Sequence, residues 1–197
     1  MKQLCIFITL FSIFTSFGQK TAKEIEEHRA EHLNSLTDTA AHVLNAEEIA
    51  AFEGLDYFPF DADFQITAKF TKDKGKKFEM PTSTERTPLY RRYGYVDFVI
   101  DGANYKLEVY QNIGLRDKEY RDYLFIPFRD KTSAKATYGG GRYLDARVPD
   151  GDTILLDFNL LYNPYCAYSY RYSCPIPPAV NTLNVEINAG EKTPIGH

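Results

Sequence analysis

The spacing of apolar positions changes period once along this chain. From Thr21 to Leu36, the positions Ala22, Ile25, Arg29, His32 or Leu33, and Leu36 recur at three- and four-residue steps with charge between them. That is the pattern of a half-buried helix. A second, short helix is expected after Asn45, whose side chain suits an N-cap. Glu47 and Glu48 favour its positive N-terminal end, and Gly54 suits a left-handed termination.

Past Gly54 the period falls to two. Phe64, Ile66, Ala68 and Phe70 alternate with Gln65, Thr67, Lys69 and Thr71, so one face of this strand is apolar and the other wet. Lys72 to Lys77, with Gly75, reads as a turn. Tyr93 to Ile100 and Asn104 to Gln111 flank Asp101-Gly102-Ala103, which suits a tight hairpin. Further strands are expected at about Tyr123 to Phe128, Arg142 to Val148, Thr153 to Phe158 and Leu183 to Asn188, the middle two joined by Pro149-Asp150-Gly151-Asp152. Short strands separated by turn signals, with no helical period between them, exclude a parallel α/β sheet. The expected class is mainly β (α+β): an antiparallel β-sandwich or barrel with one or two N-terminal α-helices, the helices within about 21–54 and the strands within about 64–188.

Composition narrows the function classes. The 197 residues are 44% hydrophobic, 25% charged and 15% aromatic, enough for one packed core. Lys and Arg number 23 against 27 for Asp and Glu, and a net charge of -4 speaks against binding nucleic acid or anionic lipid through bulk charge. Lys2 precedes an apolar run from Leu4 to Phe17, and Ser16-Phe17-Gly18 puts small residues two apart before Gln19. At about 14 residues the run is shorter than the roughly 20 of a membrane span. Residues 1–18 therefore read as a cleaved signal peptide, 19–197 as a single exported domain, periplasmic or extracellular and not inserted in a membrane.

Removing the leader takes Cys5 with it and leaves Cys166 and Cys174. A single extended strand over 167–173 would hold them about 26 Å apart, at about 3.3 Å per residue, which forbids a bond. Asn163-Pro164 and Pro175-Ile176-Pro177-Pro178 favour a loop instead, and an oxidising compartment then favours a Cys166–Cys174 disulfide. The alternative, a metal held by the two thiols, has only half a tetrahedral ligand set.

Few catalytic motifs are present. His28-Arg29-Ala30-Glu31-His32 fits the H-x-x-E-H zinc pattern, and i, i+4 spacing puts His28 and His32 on one helix face, but a third ligand is missing nearby. A solvated helix face is the expectation, with no metal or cofactor. There is no Gly-x-Ser-x-Gly elbow or phosphate-binding loop, and Gly139-Gly140-Gly141 suits a tight bend before a strand.

The stretch from Thr137 to Lys192 is the most informative. It holds Tyr138-Gly139-Gly140-Gly141-Arg142-Tyr143-Leu144, Leu156-Asp157-Phe158-Asn159, Tyr162-Asn163-Pro164-Tyr165-Cys166-Ala167-Tyr168, Cys174-Pro175-Ile176-Pro177-Pro178, Asn181-Thr182-Leu183 and Ala189-Gly190-Glu191-Lys192. With Phe52-Glu53-Gly54-Leu55-Asp56-Tyr57-Phe58-Pro59-Phe60-Asp61 and Phe128-Arg129-Asp130-Lys131-Thr132 upstream, this resembles the domain-of-unknown-function family numbered 1684 over about residues 52–192. The pattern of that family carries a longer segment between the N-terminal helix and the Phe58-Pro59 region; here it is nearly absent. The resemblance implies positions without implying a mechanism.

At those positions Asp130, Arg142, Asp157, Asn159 and Glu191 are polar groups at or beside strands, and buried polar groups must find partners. Arg142 is expected to pair with Asp157 or Glu191. Tyr138, Tyr143, Tyr162, Tyr165, Tyr168, Tyr170 and Tyr172 could wall a pocket, offering flat faces with hydroxyl handles. The leading expectation is a small-molecule or glycan-binding module using Tyr138, Arg142, Tyr143, Asp157, Asn159, Tyr162 and Asn163. The alternatives are a hydrolase-like enzyme with Asp157 and Glu191 as carboxylates and Arg142 as electrostatic stabiliser, or a structural envelope or interaction protein.

Overall fold

The structure is a computed structural model that describes residues 18–195. The expected leader, residues 1–18, lies outside the described residues except for Gly18. Helix α1 (Ala22–Thr37) opens on a capping box: the Thr21 hydroxyl accepts from the Glu24 amide, and the Glu24 carboxylate accepts from the Thr21 amide at 2.7 Å. Ile25, Arg29 and Leu36 form its buried stripe. Asn45 and Glu48 cap the short α2 (Ala46–Ala51) in the same way.

Seven strands follow: β1 (Gln65–Lys72), β2 (Lys77–Glu79), β3 (Leu89–Ile100), β4 (Ala103–Asn112), β5 (Tyr123–Phe128), β6 (Arg142–Arg147) and β7 (Thr153–Asp157). They form one antiparallel sheet in the order β6-β5-β4-β3-β1-β7, with β2 also on β3. The β3–β4 hairpin turns on Asp101 and Gly102 alone, both at positive φ, which is the geometry that matches strand twist. β6 and β7 are consecutive in the chain yet lie at opposite edges of the sheet, joined by only residues 148–152. So short a link draws the two edges together, and the sheet curls into a half-barrel.

Period two sorts side chains between the faces. Leu124, Ile126, Phe128 and Leu144 join Val96, Leu107, Leu156 and Phe158 in the main core, which draws on both edge strands and so fills the inside of the curl. The intervening residues Tyr123, Phe125 and Tyr143 face the other way and join Met80, Tyr90, Tyr110 and Cys174 in a second, tyrosine-rich cluster.

Two strand expectations need correction. β2 is not among the expected strands: it begins at Lys77, the last residue of the expected turn, and its three residues are too few to show alternation. Leu183 to Asn188 is not a strand, although Leu183 and Ile187 do enter the main core. Its backbone bonds to the chain just after β5, the Leu183 amide donating to the Arg129 carbonyl at 2.8 Å and the Lys131 amide to the Val185 carbonyl at 2.9 Å, and beyond these the Ile187 and Ala189 carbonyls accept from Arg142. Gly190 lets this segment pass close, since at φ +73° a Cβ there would sit 2.4 Å from the Leu161 Cβ. Among the described residues no helix is long and apolar enough to cross a membrane.

Candidate functional site

The polar residues named from sequence divide into a buried scaffold and a pocket. In the scaffold, the Arg142 guanidinium is 1% exposed and pairs with Asp130 at 2.8 Å. It does not pair with Asp157 or with the Glu191 carboxylate, as expected from sequence. The loop after β5 brings Asp130 back beneath β6, and the rest of the guanidinium donates to carbonyls: Ile187 at 2.8 Å, Glu191 at 3.1 Å, and Ala189. A buried cation with one carboxylate and three carbonyls is satisfied, and it staples residues 187–191 to the sheet. Asp130 is itself fixed by the Thr132 amide at 2.7 Å.

Asp157 and Asn159 are equally committed. The Asp157 carboxylate accepts from Gln65 at 2.8 Å and from the Asn159 amide at 3.1 Å, and Asn159 spans the Asp61 amide and carbonyl at 2.9 and 2.8 Å. These bonds fasten the start of β1 to the end of β7. The Asn163 amide donates to Glu191 Oε2 at 2.8 Å, and its side chain donates to the Lys192 carbonyl at 2.7 Å. Glu191 Oε1 is buried without a partner, and burial pushes the Glu191 carboxyl up to about 8. Arg142, Asp157 and Glu191 are all buried, bonded to neighbouring chain segments, and stand outside the lining of the aromatic pocket.

The pocket lies on the tyrosine-rich face. It has a volume of about 530 Å³ and is walled by Tyr90, Tyr123, Phe125, Tyr143, Tyr162 and Tyr165, with α1 on one side. The rings brace one another edge-to-face: Phe125 and Tyr143 at 4.7 Å between centroids, Tyr143 and Tyr162 at 5.8 Å. The Tyr143 hydroxyl donates to the Pro175 carbonyl. Of the expected binding residues, Tyr143, Tyr162 and Asn159 line this pocket, whereas Arg142, Asp157, Asn163 and Tyr138 do not.

Asp145 is the polar centre, and sequence reasoning passed over it. Tyr123 and Tyr162 both donate to its Oδ1, at 2.6 and 2.8 Å. Solvent reaches the carboxylate through the pocket mouth, yet the crowding of rings raises its pKa above the ordinary aspartate value. The signal was available: Asp145 follows Tyr143 at the period of a strand, so both lie on one face of β6, with Asp145 directly across from Phe125 of β5 and diagonal to Tyr123.

His28 and His32 also line this pocket rather than a purely solvated helix face. His32 Nδ1 lies 3.1 Å from the Tyr57 hydroxyl, and its ring meets Tyr162 edge-on at 5.9 Å. Burial, with His28 nearby, pulls His32 down to about 4; burial also lowers His28. Both imidazoles are neutral at neutral pH. Among the described residues no three His, Cys, Asp or Glu side chains gather closely enough to hold a metal.

The disulfide expected between Cys166 and Cys174 is not formed; both are free thiols. The loop does fold back as a bond would require, because turns at 165–167 and 169–172 replace the extended strand, and the Cys166 amide points at Cys174 Sγ from 3.2 Å. A hydrogen bond from the Cys174 thiol, helped by Ser83 and Tyr138, pulls Cys166 down to about 6, while the same bond and burial push Cys174 up. Cys174 lines the aromatic pocket, and Cys166 borders a smaller one with Phe52 and Tyr168.

Comparison with known proteins places the whole arrangement. The chain is similar to an uncharacterized protein of Haloarcula marismortui solved by solution NMR, with 34% identity, 89% of this chain and 95% of that one covered, and a TM-score of 0.67. No curated protein matches. Residues 50–192 match the model of a family described as proteins of unknown function (DUF1684), and that stretch contains β1 to β7, the Arg142 staple and Asp145. The chain belongs to the DUF1684 family.

Proposed function

We propose that this protein is an exported binding module for a small organic molecule, held in the aromatic pocket between β5, β6 and α1. The observation that carries the reading is the pocket's composition: about 530 Å³ of space walled by aromatic rings, with few polar groups converging on it. Small-molecule sites have this character, apolar walls giving affinity and a few fixed polar atoms giving orientation. The rings are braced by each other and by Asp145, so the cavity is held open before a ligand arrives. Such preorganisation reduces the ordering cost of binding.

A thermal-shift screen tests this, using a panel of sugars, aromatic amines, alcohols and acids. Compounds that bind here raise the melting temperature of the native protein and lose that effect in Ser35→Trp, which fills the mouth from an exposed position on α1. Shifts that persist unchanged in Ser35→Trp, or a panel without any shift, count against the reading.

A further inference from the structure

We infer that the ligand is a small organic cation, an ammonium group on an apolar or aromatic body, with its charge against Asp145 and its body among the tyrosine rings. This rests on the binding reading above and specifies the ligand's charge. Three observations converge on it.

The first is the unmatched charge. Asp145 has no cationic side chain in salt-bridge contact among the described residues; its neighbours donate neutral hydroxyls, both to Oδ1. Arg147, two residues along β6, is engaged elsewhere, with Asp122 at 2.9 Å. Oδ2 has no hydrogen-bond partner among the described residues, and Asp145 is an exposed residue of the pocket lining. A carboxylate ringed by low-dielectric side chains and lacking a counterion is a receptor for a positive group.

The second is the ring set around it. Tyr123, Phe125, Tyr143 and Tyr162 surround the carboxylate, and aromatic rings offer electron-rich faces to a cation, most strongly where water is displaced. The pocket wall already holds one such contact of its own: the Arg29 guanidinium lies 4.5 Å from the centre of the Tyr57 ring. The terminal nitrogens of Arg29 are held there by Glu26 at 2.8 Å and the Phe58 carbonyl at 3.1 Å, away from Asp145, and only its buried Nε lacks a partner among the described residues.

The third is the absence of competition. His28 and His32 are neutral at neutral pH and add no positive charge to the pocket. A bare metal ion is a poor match, because a hard cation wants several oxygen ligands and Asp145 supplies the only carboxylate among these walls apart from Glu31 on α1. An ammonium needs one carboxylate and several rings, which is what the pocket provides.

The test is a charge series on the full chain, followed by NMR shift perturbation and calorimetry: phenethylamine, 2-phenylethanol and phenylacetate share a body and differ in charge, and benzyltrimethylammonium carries a permanent one. The cations are expected to bind about tenfold or more tighter than the alcohol, with shifts centred on Tyr123, Asp145 and Tyr162. Asp145→Asn should erase that preference, weakening the cations much more than the alcohol; Tyr162→Phe serves as a second variant that keeps the carboxylate and should keep the order of the series. For benzyltrimethylammonium, binding should tighten as rising pH ionises Asp145 and then level off. The charged and titratable groups facing that carboxylate are Tyr90, Tyr123, Tyr162, Tyr165, Arg147 and His28; the tyrosines stay neutral through this range, and protonation of His28 at low pH acts in the same direction. Equal or tighter binding of the alcohol or the acid overturns the cation inference and leaves the binding reading intact. Failure of every member to perturb the pocket overturns both.

Discussion

Strand β6 carries two charged sites three residues apart and on opposite faces. Arg142 looks into the curl and Asp145 looks out of it. Arg142 meets a carboxylate and three carbonyls and is closed to solvent, whereas Asp145 meets two hydroxyls and stays open. The difference separates architecture from reception. A charge whose bonding capacity is filled by the chain holds the fold, and a charge whose capacity is only half filled is available to something else.

The comparison can be broken most severely at Arg142. Arg142→Met strands Asp130 in the core and should cost about 3–5 kcal/mol in urea unfolding, while Asp145→Asn, on the same strand, should change stability by less than about 0.5 kcal/mol. Restoring a matched core by adding Asp130→Leu to Arg142→Met should recover part of the loss. Equal costs at the two positions would mean that Asp145 is scaffold too.

Next in size is the pH dependence set by Glu191. Its carboxyl keeps a proton in the folded chain up to about pH 8 but ionises near 4.5 when unfolded, so stability falls as pH rises across that window. His32 acts oppositely: neutral in the fold down to about pH 4 and titrating near 6.5 when unfolded, it makes stability rise with pH between those values. The two slopes offset each other up to about 6.5. Between pH 6.5 and 8 the Glu191 decline, no more than about 1.4 kcal/mol per pH unit, is opposed by Cys166, which ionises near 6 in the fold and near 9 when unfolded, so Glu191→Gln should tilt the profile toward stability that rises with pH there.

The smallest effect concerns the thiols. Because Cys174 donates to it, Cys166 is the nucleophile of the pair, and iodoacetamide at pH 7 should label Cys166 before Cys174, as read by peptide mass mapping. Labelling of Cys174 first would reverse the assigned direction of that hydrogen bond.

Much of this frame was legible in the alternation of residues. β1 and β3 to β7 announce themselves by period two, and the hairpin by Asp101-Gly102. The Leu183–Asn188 segment misleads because an extended chain bonded only to the residues just after β5, and pinned beyond that by an arginine, buries the same alternate residues as a full sheet strand. Tyr143 and Tyr162 were visible as candidate walls; Asp145 was not, because a lone aspartate on a strand looks like solvent-facing polarity until its rings are in place. The choice of Asp130 over Asp157 or Glu191 as the partner of Arg142 depends on how the loop after β5 returns, which local pattern does not encode.

The carbonyls that hold Arg142 belong to residues 187–191, far along the chain from the sheet they lock. During synthesis β1 to β7 are all made before those carbonyls exist, so the guanidinium cannot be fully lodged until the ribosome has passed residue 191. Chain growth thus sets an order of events: the strands are free to pair early, but the charged interior stays unsettled until the stretch that completes it arrives.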